Sequence, residues 1–112
     1  MVDSTERNEV IQRYLSGYRA YSCLIEKMKR GEFPDELNIR AEAFAIRRSV
    51  LRLPDSREKL LLYNHYIKGE TLEYCAELIG VSRRTVFRLK KKAVELYAKY
   101  NPENEAVRVF GS

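Results

Sequence analysis

Three features of the sequence predict an all-α fold. Apolar residues recur at spacings of three and four along most of the chain, glycines and prolines fall between these stretches, and no segment alternates as a strand would. Together they divide the chain into about five helices.

The first helix is expected from about Asp3 to Arg30. Ile11, Tyr14, Tyr18, Tyr21, Ile25 and Met28 form a seam along it, Gly31 stands where a C-terminal cap belongs, and Pro34 opposes continuation. Gly17 inside it costs about 1 kcal/mol relative to Ala without breaking the helix. The seam is short and rich in tyrosine, which favours packing on the rest of the chain. Self-association through the N-terminal helices remains the alternative.

A second helix is expected over Asp35 to Leu53. It carries two apolar rows, Leu37, Ala41, Phe44 and Leu51 with Arg48 on one side and Ile39, Ala43, Ile46, Val50 and Leu53 on another, so much of its circumference is expected to be covered. After Pro54, Asp55 and Glu58 are spaced as a capping box for a third helix, whose stripe is Leu61, Leu62, Tyr66 and Ile67 and whose end is Gly69. Thr71 caps a short fourth helix, LEYCAELI, closed by Gly80. Ser82 caps a fifth that runs to about Tyr100, where Asn101-Pro102 stops it. The segments expected are thus a helical extension over residues 1–50, a second helical unit over 51–100, and a flexible tail over 101–112.

Composition narrows the function. Two cysteines, Cys23 and Cys75, stand far apart, and there is one histidine, His65. Neither a zinc site nor a disulfide framework is suggested, and no glycine-rich phosphate loop or nucleophile elbow occurs. The expectation is a protein that is not an enzyme and needs no cofactor or metal. No membrane span and no secretory signal is read, so a cytoplasmic protein is expected. The net charge of +5 is concentrated: residues 83–100 hold seven cations, Arg83, Arg84, Arg88, Lys90, Lys91, Lys92 and Lys99, against Glu95, a net of +6. Charge localised in this way points to a polyanion as partner.

Two of those arginines occupy the first turn of the fifth helix, where the helix dipole makes a cation cost about 0.3–1 kcal/mol. A nearby anion would offset that cost. The surrounding pattern is that of a helix-turn-helix. Gly80 supplies the positive φ a compact turn needs, Ala76 allows close crossing, and Cys75, Ile79, Val81, Val86 and Leu89 fill a small core. At about 100° per residue, Val86, Leu89, Ala93 and Leu96 form the packed side. Arg84, Phe87, Arg88 and Lys91 fall opposite, with Arg83 beside them. Base-reading side chains occupy these places when such a helix enters the major groove. Arginine can bond guanine O6 and N7, and Phe87 can meet a thymine methyl. Lys90, Lys92 and Lys99 suit phosphates. Thr85 and the cap residue Thr71 complete the set expected at DNA.

The stretch LRLPDSREKLLLYNHYIKGETLEYCAELIGVSRRTVFRLKKKA resembles region 4 of bacterial sigma factors. The shared signs are Leu53-Pro54, the leucine-rich helix, Tyr66 followed by Gly69, Thr71, Glu73, Ala76, Gly80-Val81-Ser82 and Thr85-Val86. The likeness covers roughly residues 50–97. Within that superfamily, SRRTV preceded by a separate helical extension is similar to phage and prophage late-gene transcription regulators of the ArpU type. The resemblance implies binding to double-stranded promoter DNA in a bacterial, nucleoid-associated setting, with RNA polymerase as a candidate partner. No counterpart of the sigma domain that reads and melts the other promoter element is found, so a regulator is expected rather than a complete sigma factor. Two other functions remain open: the DNA-recognition subunit of a terminase or recombinase, and a module that docks RNA polymerase without touching DNA.

Overall fold

The computed structural model describes residues 4–108, and these are helical with no strand among them. The elements are α1 (Ser4–Lys29), α2 (Leu37–Leu51), α3 (Arg57–Leu62) extended by a π-helical turn (Tyr63–Ile67), α4 (Leu72–Ile79), α5 (Arg83–Tyr100) and α6 (Glu105–Arg108). The all-α expectation therefore holds, with α6 added.

One core joins the helices. Ile11 and Leu15 of α1 and Ile46 and Val50 of α2 belong to the same buried cluster as Leu61, Leu62, Cys75, Val86, Leu89 and Tyr97. The cluster thus runs across the expected boundary between residues 1–50 and 51–100. The α1 seam faces inward, with Ile11 and Met28 buried and Tyr14, Tyr18 and Tyr21 packed half-buried against the core. Leu15, absent from the expected seam, is fully buried.

Several local expectations are corrected. Of the two apolar rows on α2, Ala43, Ile46, Val50 and Leu53 are buried, whereas Leu37, Phe44 and Leu51 stay exposed. The cap of α3 lies one residue later than the Asp55–Glu58 box. Ser56 Oγ accepts from Lys59 N at 3.2 Å, and Asp55 instead pairs with Lys59 Nζ at 3.1 Å. Residue 59 is lysine, so the reciprocal half of a capping box cannot form. On α5 the packed side includes Val94, Tyr97 and Ala98 as well as Val86, Leu89 and Ala93, while Leu96 is half-buried.

The segment expected as a flexible tail is held as far as residue 108; residues 109–112 lie outside the described residues. Asn101 is buried, and its amide donates to Ser49 O and Tyr97 O, each at 3.1 Å. Tyr97 donates its hydroxyl to Ser49 Oγ at 2.8 Å, Ser49 in turn bonds Ile46 O, and Asn104 donates to the Tyr97 oxygen at 3.2 Å. These bonds tie the end of α5 to α2, and Val107 of α6 closes the apolar seal. Buried polar groups satisfied in this way specify one arrangement of the helices.

Candidate nucleic-acid interface

The site is built on α4, the three-residue turn and α5. Thr71 caps α4, its side chain accepting from Tyr74 N at 3.1 Å. At the other end Gly80 takes φ +82°, and the amides of Gly80 and Val81 both donate to Ala76 O at 2.9 Å. This left-handed closure needs glycine and reverses the chain at once. Ser82 then caps α5, accepting from Thr85 N at 3.1 Å and donating its hydroxyl to Thr85 Oγ1 at 2.9 Å. Behind the turn Cys75 and Val86 are fully buried and Ala76 nearly so. Burial pushes the Cys75 thiol up, with the Glu70 carboxylate adding to the effect, which makes it an inert core residue.

On the outer side Arg83, Arg84, Thr85, Phe87, Arg88, Lys91 and Lys92 are exposed. They do not share one environment. Arg83 Nη2 lies 3.3 Å from Glu73 Oε1, so a carboxylate on α4 supplies the anion that the start of α5 lacks. Among the described residues Arg84, Arg88, Lys91 and Lys92 form no ion pair. Lys99 stands over the Tyr100 ring at 5.8 Å, near the far end of α5.

Lys90 and Phe87 turn toward α1. A groove of about 350 Å³ separates the two helices, lined by Asn8, Glu9 and Gln12 on one side and Phe87, Lys90 and Lys91 on the other. Phe87 is still 51% exposed there. Lys90 is half-buried beside His65 and Tyr66, and desolvation lowers its pKa. His65 donates from Nδ1 to Glu70 O at 2.8 Å, which fixes its tautomer and leaves it a structural role in closing the turn after Gly69. The expected DNA set is therefore divided: Arg84, Arg88 and Lys92 on open surface, Arg83 engaged by Glu73, and Phe87, Lys90 and Lys91 facing the first turns of α1. Thr71 lies at the start of α4, its side chain used in capping.

The Glu73 pair and the α1 groove are features that reading by helical period missed. They depend on which residues meet across two helix crossings, and no spacing within one segment carries that information. Among the described residues no group of histidines, cysteines or carboxylates is arranged to hold a metal, and no helix is long and apolar enough to cross a membrane. Comparison of the chain with protein-family models, with curated proteins and with solved structures found no match.

Proposed function

We propose that the chain is a sequence-specific DNA-binding protein of the helix-turn-helix class, with α5 as the helix that enters the major groove. The observation that carries this reading is the contrast along α5. Its inner side is buried, while among the described residues Arg84, Arg88 and Lys92 stand on open surface without an ion pair, Arg84 in the first turn of a capped helix that has no acidic residue there. Unpaired cations near a helix N-terminus are stabilised by an arriving anion. Arg84 and Arg88 read guanine edges, Lys91 and Lys92 contact phosphates, and the α4 N-terminus at Thr71 approaches the backbone.

More narrowly, the likeness to sigma region 4 and to ArpU-type regulators favours a transcription regulator of phage or prophage origin acting at promoters. RNA polymerase is the second partner that this likeness brings with it. Selection of bound duplexes from a random pool tests the reading. A recurrent motif, lost with Arg84→Ala or Arg88→Ala, supports it. Equal, weak and salt-labile retention of every duplex by parent and variants refutes it.

A further inference from the structure

Three large apolar side chains stand exposed on α2, a helix remote in sequence from the DNA-reading surface. On α2, Leu37 is 79% exposed, Phe44 62% and Leu51 44%, and they stand seven residues apart. At 3.6 residues per turn this spacing lines them up along one side of the helix, a row roughly 21 Å long. Leu60, 42% exposed, continues it past the turn, where Leu51, Leu60 and Tyr63 line a depression of about 280 Å³. The opposite side of α2 is spent on the core through Ala43, Ile46 and Val50. Single exposed leucines are ordinary on a protein surface, but a heptad-spaced row is the pattern of a helix seam.

The edges of the row are basic. Arg40 and Arg47 follow Leu37 and Phe44 by three residues, and Arg48 and Arg52 lie on the other flank. Arg40 is held by Asp35 at 2.8 Å, and Arg47 is bonded to Tyr63, while Arg48 and Arg52 form no ion pair among the described residues. Glu42 falls on the opposite half of the helix. A second copy of this chain laid row to row would bring arginines against arginines. A phosphate backbone would leave Leu37 and Phe44 with nothing apolar to meet.

We propose that this face of α2 docks an acidic amphipathic helix of another protein, its apolar row against Leu37, Phe44 and Leu51 and its flanking carboxylates on Arg47, Arg48 and Arg52. Helix-on-helix docking of this kind takes affinity from the apolar anchors and orientation from the charges. The surface lies outside α5 and does not depend on the DNA reading.

The test uses the full chain and two synthetic helical peptides with leucines in heptad spacing, one flanked by glutamates and its twin by lysines. The glutamate peptide binds and the lysine twin does not. Phe44→Glu weakens binding by about tenfold or more, with circular dichroism and melting unchanged because Phe44 faces solvent. Paired Arg47→Glu and Arg48→Glu transfers preference to the lysine peptide. Arg88→Glu leaves binding as it was, separating α2 from the basic face of α5. Failure of the glutamate peptide to bind, equal binding of both peptides, or insensitivity to Phe44→Glu overturns the proposal. So does a concentration-dependent dimer of the parent that Phe44→Glu abolishes, which would assign the row to a second copy. A loss of duplex affinity in Phe44→Glu would assign it to nucleic acid and overturn the proposal too.

Discussion

Arg83 of α5 and Glu73 of α4 face each other across the turn at 3.3 Å, joining the first turns of the two helices. The carboxylate is favourably placed for the dipole of α4 and also relieves the unfavourable place of Arg83 on α5. On the proposed DNA reading, Glu73 would therefore compete with DNA for Arg83. Glu73→Ala should raise affinity for all duplexes severalfold and steepen the salt dependence, read by anisotropy titration across salt concentrations. Because the pair is exposed, its loss should change stability by less than about 1 kcal/mol.

Arg84 and Arg88 have no such competitor. Replacing either by alanine should lower affinity for a selected site by about 1–3 kcal/mol and relax preference at one base pair. Lys92→Ala should instead weaken all duplexes alike and reduce the salt slope by about one unit. Parallel titrations on selected and scrambled duplexes separate the two behaviours. Equal losses for arginine and lysine variants on both duplexes would remove the distinction between reading and anchoring.

Glu9 lines the groove between α1 and α5 beside Lys90 and Lys91. Its charge lowers the positive potential where a phosphate would lie. Glu9→Gln should strengthen duplex binding severalfold at low salt, the gain shrinking as salt rises. An unchanged affinity at low salt would mean that DNA does not approach this edge of α5.

What was legible in the sequence was mostly local. Thr71, Ser82 and Gly80 determine caps and turn within three or four residues of themselves, and they form as the sequence indicates. The first half of the α5 stripe, Val86, Leu89 and Ala93, follows from period, whereas burial of Val94, Tyr97 and Ala98 in its second half does not. The second helix was ambiguous because both its rows are apolar, and only packing on α1 and on the π-helical turn chooses Ala43, Ile46 and Val50 over Leu37, Phe44 and Leu51. The short α6 was illegible for a related reason. Its four residues are too few and too mixed to show a period, and what holds it begins with Asn101 bonding a carbonyl at Ser49, far away in sequence.

Gly17 lies within α1 and has no need of glycine's conformational freedom. A Cβ built there meets Tyr21 Cε2 at 3.6 Å and Ile46 Cδ1 at 3.9 Å, both ordinary contacts. Gly17→Ala should therefore stabilise the fold by about 0.5–1 kcal/mol through the lower entropy of the unfolded chain. A higher midpoint in urea with an unchanged slope is the expected reading. A destabilised variant would mean that α1 and α2 approach more closely than these distances.

Tyr97 and Tyr66 give the fold an alkaline limit. Burial pushes both phenols up from the ordinary 10.0 to about 12. For Tyr97 the Ser49 hydrogen bond opposes the rise without cancelling it. The folded protein thus holds these protons more tightly than the unfolded chain does. Their contribution is intact below pH 10 and is lost as pH rises from about 10 through about 12, by up to roughly 2–3 kcal/mol for each tyrosine. Tyr97→Phe removes one of the two titrations, so its stability should fall less steeply over that range. At neutral pH the same variant should be weaker than the parent by about 1–2 kcal/mol, since Ser49 and Asn104 each lose a partner. Urea titrations of parent and variant at pH 7 and at intervals above pH 9 measure both effects. Parallel pH profiles would show that the Tyr97 hydroxyl is not buried as the bond to Ser49 requires.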